Sequence, residues 1–206
     1  MSDCGCGSIM PVEQLEAKQR RVLMIVMIIN CVAFAGMVSG SVVSGSSALL
    51  SGTLDNLGDA MAYLVSLAVL GASAAAKARA ALFKSLLMGI AALVVFVQLI
   101  LRGAYPVTPI AEIMGLAAAA NLIANAVCFA LLTPHRADDI NMASVWHCSR
   151  NDLAEGLAVV ATAAAVYWTA SPLPDLLIGS LLLLLFSHSA VTTARSAWNE
   201  MDAAPA

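Results

Sequence analysis

An all-α integral membrane fold with six transmembrane helices is the architecture this chain predicts, and three observations predict it. Of its 206 residues, 61% are hydrophobic and only 11% are charged, against about 25% charged in soluble domains. Mean hydropathy is +0.88, more apolar surface than one aqueous core can hide. Six stretches also approach the roughly 20 apolar residues that a helix needs to cross hydrocarbon, and each is closed by turn-forming or charged residues.

Residues 1–20 read as a cytosolic tail. They contain Glu13 and Glu16 and lack the basic, apolar, small-residue order of a cleavable signal, so the first span is expected to be retained. That span, residues 22–39, carries Gly36 and Gly40 at the GxxxG spacing that allows close helix contact. Residues 40–47 form a Gly/Ser turn into the second span, residues 48–72. Lys77 and Arg79 mark the next break, before the third span at 81–101. Tyr105, Pro106 and Pro109 lead into the fourth, 110–132, where Asn121 and Asn125 share a face and read as interhelical hydrogen-bonding residues. Pro134 to Asp139 separate it from the fifth, 143–169. Pro172 and Pro174 precede the sixth, 176–197, where His188 reads as another hydrogen-bonding residue. Residues 21–198 thus make one six-helix domain, and 199–206 a short cytosolic tail.

Orientation follows from the basic residues. With the N-terminus inside, Lys18, Arg20, Arg21, Lys77, Arg79, Lys84, Arg136 and Arg195 fall at cytoplasmic ends. Arg102 falls outside and Arg150 lies within a span, close to its cytoplasmic end. This is the positive-inside pattern, and it puts both termini in the cytosol. The net charge of -3 without a basic cluster excludes nucleic acid as a partner.

Two spans carry groups that hydrocarbon does not favour. Asp55 and Asp59 are four apart in the second, and Cys148 and Asp152 four apart in the fifth. A carboxylate at mid-membrane costs about 2.5–3.5 kcal/mol on insertion scales. Residues at i and i+4 share a helix face, and spans two and five are antiparallel. Side by side, they bring Asp55 level with Asp152 and Asp59 level with Cys148. Three carboxylates and a thiol match the tetrahedral, four-ligand preference of Zn²⁺, and the thiolate also suits Cd²⁺; Co²⁺, Ni²⁺, Mn²⁺ and Fe²⁺ rank behind. An apolar surround favours the neutral form of a carboxyl, so an arriving cation must displace protons. Exchange of metal against protons follows from such a site.

Neighbouring residues are secondary candidates. His147 lies about 140° around a helix from Asp152 and pairs at i+4 with Asn151 instead, so Cys148 is the preferred partner of Asp152. Glu155 continues the Cys148 face as an entry ligand or base, and Asn56 flanks the acids. Cys4 and Cys6 in the tail, and His135, Asp138 and Asp139 in the loop before span five, are candidates for peripheral metal capture. The five cysteines form no disulfide framework.

The segment Ser46-Ser-Ala-Leu-Leu-Ser-Gly-Thr-Leu-Asp55-Asn-Leu-Gly-Asp59, the run Cys148-Ser-Arg-Asn-Asp152, Pro174-Asp175 opening span six and Asn30 in span one together resemble the cation diffusion facilitator family of metal/proton antiporters. The resemblance implies a six-helix membrane domain, a homodimer, and a transport site between helices two and five with Asp55, Asp59 and Asp152 as ligands and Cys148 in a histidine's place. It implies proton-coupled export of Zn²⁺ or Cd²⁺ from the cytoplasm across a bacterial cytoplasmic membrane, by a secondary transporter rather than an enzyme. The chain departs from the pattern at Cys148, at Gly52 where the family has an aspartate, and in having no cytosolic domain after span six.

The competing expectation is a membrane-embedded metalloenzyme using a metal-bound water, with Glu155 as base. The sequence has no HExxH, and four protein ligands would fill the position that a catalytic zinc keeps open.

Overall fold

The structure, a computed structural model, describes residues 12–68, 74–136 and 140–203. Six helices follow one another: α1 (Val12–Ser44), α2 (Ser47–Ala68), α3 (Ala74–Ala104), α4 (Ala111–Leu132), α5 (Ile140–Thr169) and α6 (Leu173–Ala203), with a single 3₁₀ turn at Thr133–His135. There is no strand among the described residues. Among the described residues, three segments are long and apolar enough to cross a membrane by length and composition: Ala17–Ser44, Leu86–Ala104 and Ala111–His135. Leu173–His188 is a shorter apolar helix segment. Large apolar side chains are exposed along these segments, such as Val32 at 67%, Leu93 at 61% and Leu116 at 74%. Soluble monomers rarely expose such contiguous apolar surface, and the exposure fits a membrane protein.

The helices overrun the predicted spans. Residues 12–20, expected as tail, belong to α1, and α6 continues to Ala203. The predicted turn at 40–47 contracts to Gly45 and Ser46. Gly45 takes φ +76°, the left-handed conformation that glycine adopts without a Cβ penalty, and its N–H donates to the Ser41 carbonyl at 2.8 Å. Serine-rich sequence therefore stayed helical until a residue able to reverse φ arrived. Of the GxxxG pair, only Gly40 makes the close approach. A Cβ there would lie 2.6 Å from Ala117 Cβ on α4, whereas one at Gly36 meets nothing within 4 Å.

Three apolar clusters hold the bundle. Met37, Leu49, Met114, Val159 and Val166 join α1, α2, α4 and α5 at one end. Leu23, Tyr63, Cys128 and Leu132 join α1, α2 and α4 at the other, with Trp146 of α5 against them. Leu54, Met88, Val95 and Leu183 pack α2 on α3 and α6. The start of α2 therefore lies beside residues 159–166 of α5 and its later part beside Trp146, so the two helices are antiparallel. Helix α2 touches every other helix of the bundle. From Ser47 to Met61 every side chain of α2 is buried or half-buried.

Candidate metal site

The N-terminus of α2 is held from outside its own sequence. Asp175, in the first turn of α6, is 2% exposed and accepts from Ser47 N–H at 2.7 Å, Ala48 N–H at 3.0 Å and Ser46 O–H at 2.5 Å. The first backbone N–H groups of a helix have no intrahelical partner, and a carboxylate there also meets the positive end of the helix dipole. Ser46 caps the same turn by accepting from Leu49 N–H at 3.0 Å. One turn further along, Ser51 donates to the Gly179 carbonyl at 2.8 Å. A Cβ at Gly179 would lie 3.0 Å from the Ser47 carbonyl carbon, so only glycine lets α6 come this close. These contacts fix the rotation of α2 and hence the face on which Asp55 and Asp59 emerge.

On α5 the buried face runs through Ser149, Asp152, Gly156, Val159, Ala163 and Val166, steps of three and four that trace one helical stripe. Helices α2 and α5 meet at the acids. One carboxylate oxygen each from Asp55, Asp59 and Asp152 lie within 4.8 Å of one another. Asp152 is buried and the other two are half-buried. At that separation two charged carboxylates repel by about 3.5 kcal/mol even at an effective dielectric of 20. The cluster therefore needs a cation or protons to balance it. Tyr63, 1% exposed and one turn beyond Asp59, donates its hydroxyl to Asp59 Oδ2 at 3.1 Å, which orients that carboxylate.

The fourth predicted ligand is not one of these three residues. Cys148 is exposed and is not among the residues of the cluster. The i,i+4 spacing from Asp152 is real, but the buried stripe passes through Ser149, three residues before Asp152, and leaves Cys148 beside it. Asn151 is exposed as well. The His147 side chain lies outside the described residues, as do Cys4, Cys6, Asp138 and Asp139. His135 sits half-buried in the 3₁₀ turn after α4. Arg150 is exposed and lies 5.8 Å from the centroid of the Trp146 ring, with Arg136 5.9 Å from it.

Helix α4 contributes what spacing on α2 and α5 does not reveal. Asn56 donates from Nδ2 to Asn121 Oδ1 at 2.9 Å, both residues being buried. A cavity of about 10 Å³ between the helices is lined by Asp55, Asp152, Glu155, Asn121 and Asn125 among others. Its polar groups come from three helices. The pairing of Asn121 and Asn125 at i,i+4 on α4 was the available signal. It repeats the spacing of the acids, and spacing alone does not separate an interhelical bond from a ligand.

The fold and the site together define a helical bundle with an internal three-carboxylate cluster, on a chain whose apolar helices fit a membrane protein. No model of a known protein family matches the chain, and no curated protein matches it.

Proposed function

We propose that this protein is a proton-coupled carrier of divalent transition-metal cations. It crosses the membrane with six helices and keeps both termini in the cytoplasm. It is similar in plan to the cation diffusion facilitators, exports its ion from the cytoplasm of a bacterial cell, and works as a homodimer. The observation that carries this reading is the meeting of Asp55, Asp59 and Asp152 within 4.8 Å on two antiparallel helices. Buried charge of one sign is retained only where something of the opposite sign arrives, and intramembrane acids facing a bundle interior mark ion and proton pathways. A divalent cation and protons compete for the same oxygens. Occupation by one excludes the other, and a site opening alternately to the two sides exchanges them. The ion is the cargo of this cycle.

The test is reconstitution of the full chain in liposomes with a metal-sensitive and a pH-sensitive dye inside. Imposed gradients of Zn²⁺, Cd²⁺, Co²⁺ and Mn²⁺ should drive metal flux with opposing proton flux. Asp55→Asn and Asp152→Asn should reduce both to the leak of protein-free vesicles while inserting as the parent does. Metal flux without opposing proton flux would leave a uniporter or channel, and parental flux in both variants would remove the cluster from the mechanism.

A further inference from the structure

The cluster on α2 and α5 faces a third helix whose polar groups are not accounted for. Asn125 is 2% exposed, lines the same cavity as Asp55, Asp152 and Glu155, and its Nδ2 has no hydrogen-bond partner among the described residues. Glu155 Oε2, also buried, is in the same position. An unmade bond on a buried polar group costs about 1–3 kcal/mol, so an amide and a carboxyl oxygen kept at one small cavity imply an occupant. The cavity of about 10 Å³ matches a single water-sized particle and cannot take an ion with its hydration shell. A carboxamide is adaptable at such a place. Turned one way it offers N–H donors to carboxylates; turned about its Cβ–Cγ bond it offers a carbonyl oxygen to a cation. The Asn56–Asn121 bond at 2.9 Å ties α4 to α2 one turn away and holds Asn125 beside the acids.

We propose that the cargo ion is held on three helices rather than two, with Asn125 of α4 and Glu155 of α5, which line the cavity beside the three-carboxylate cluster, adding oxygen ligands to the cluster members that share that cavity, Asp55 and Asp152. This rests on the reading of the cluster as a cation carrier and states what that carrier prefers. The polar side chains lining the cavity, Asp55, Asp152, Glu155, Asn121 and Asn125, are carboxyls and carboxamides, which ligate through oxygen, and they number more than four. An ion that takes six oxygen ligands fits this arrangement; a four-coordinate ion recruiting thiolate would leave Asn125 and Glu155 unused. The substrate class is therefore an oxygen-preferring, six-coordinate divalent cation, for which Mn²⁺ is the practical probe.

The experiment measures Mn²⁺ binding to the purified full chain in nanodiscs by loss of the free-ion electron paramagnetic resonance signal, with Cd²⁺ binding by calorimetry alongside. Asn125→Leu is expected to weaken Mn²⁺ by roughly 10–100-fold, the range over which groups supporting a metal site act, and Glu155→Gln should act in the same direction. Asn125→Asp keeps the shape, supplies an anionic oxygen and should bind Mn²⁺ at least as tightly as the parent, which separates loss of a ligand from loss of the fold. Cys148→Ser should leave both ions within about twofold of the parent, since that thiol contributes nothing to an all-oxygen site. Parental Mn²⁺ affinity in Asn125→Leu, or weakening in Asn125→Asp equal to that in Asn125→Leu, would overturn the three-helix site. A large loss of Cd²⁺ binding in Cys148→Ser would overturn the all-oxygen set. Asp55→Asn discriminates the two levels. If it abolishes binding while Asn125→Leu does not, the carrier reading stands and this proposal falls; if it leaves binding intact, the carrier reading itself fails.

Discussion

Asp175→Ala removes a side chain from α6 and is predicted to act on α2. Three donors lose their acceptor at once: the N–H groups of Ser47 and Ala48 and the hydroxyl of Ser46. In water a lost N-cap costs about 0.5–2 kcal/mol, and hydrogen bonds to charged groups are worth about 1.5–3 kcal/mol each, which would put the total near the top of any single-substitution range. Interhelical bonds inside membrane proteins are weaker, averaging about 0.6 and reaching about 1.7 kcal/mol, because the helices find other partners when separated. Applied to three contacts, the membrane figure gives about 2–5 kcal/mol. Asp175 is 2% exposed, so water does not replace it, and the upper half of that interval is expected. Asp175→Asn keeps one acceptor oxygen but turns an amide donor toward other donors, and should recover less than half of the loss. The assay is reversible unfolding of the purified protein in mixed micelles, followed by far-ultraviolet circular dichroism. Ser47 lies about 12 Å up the helix axis from Asp55 at 1.5 Å per residue, so loosening this end also blurs the acid cluster, and divalent-ion affinity should fall in parallel. A loss below about 1 kcal/mol for Asp175→Ala, less than two average membrane bonds, would refute the claim that α6 holds the start of α2.

Two further predictions follow from single contacts. Gly40→Ala places a Cβ 2.6 Å from Ala117 Cβ and should destabilise by about 1–3 kcal/mol through overpacking. Gly36→Ala, with nothing within 4 Å, should be neutral or stabilising by up to about 1 kcal/mol; the same unfolding assay checks both, and equal effects would show that the GxxxG pair acts as one motif. Tyr63→Phe loses the 3.1 Å bond to Asp59 and should weaken divalent-ion binding by roughly tenfold or more. Its apo stability should change by only about 1 kcal/mol, so a calorimetric titration that matches the parent would show that Tyr63 does not orient the carboxylate.

The six helices were legible because their breaks carry proline, glycine or charge at every junction. The helix ends were not, since nothing in a hydropathy pattern distinguishes apolar helix from helix continuing beyond it: residues 12–20 are as helical as those that follow. The acids were legible for a physical reason, the cost of charge in hydrocarbon. The same i,i+4 rule links Cys148 to Asp152, but that rule fixes only that two residues are near one face and leaves the centre of the face undetermined. Small residues mark it on α5, through Ser149, Gly156 and Ala163, and closest approach marks it independently: a Cβ at Gly156 would lie 3.0 Å from Leu122 Cδ1 of α4. Asp175 was visible only as part of a Pro-Asp pair. Its role depends on an acceptor meeting the N-terminus of a helix 127 to 129 residues earlier, a contact that no local pattern contains.

The hydropathy of the helices and the location of the site express one arrangement. The three segments apolar enough to cross a membrane unaided belong to α1, α3 and α4, and they present large apolar side chains outward, Val32, Leu93 and Leu116 among them. Among the described residues, the two helices with the acids, α2 and α5, contain no such segment. In α2, Ser47, Ser51, Thr53 and Asn56, which lower its hydropathy together with Asp55 and Asp59, are buried. Polar content in a helix that touches every other helix carries no exposure penalty, provided its groups find partners inside. Most do, through Asp175, Gly179 and Asn121. Among the side-chain atoms left without a partner are Asn125 Nδ2 and Glu155 Oε2, which line a cavity with Asp55 and Asp152 where α2, α4 and α5 meet. A bundle held together only for stability would have filled that place with leucine, because an apolar replacement of like volume is often neutral or stabilising against a buried ionic group. On the proposed carrier reading, an opposite charge that comes and goes is what keeps carboxylates there.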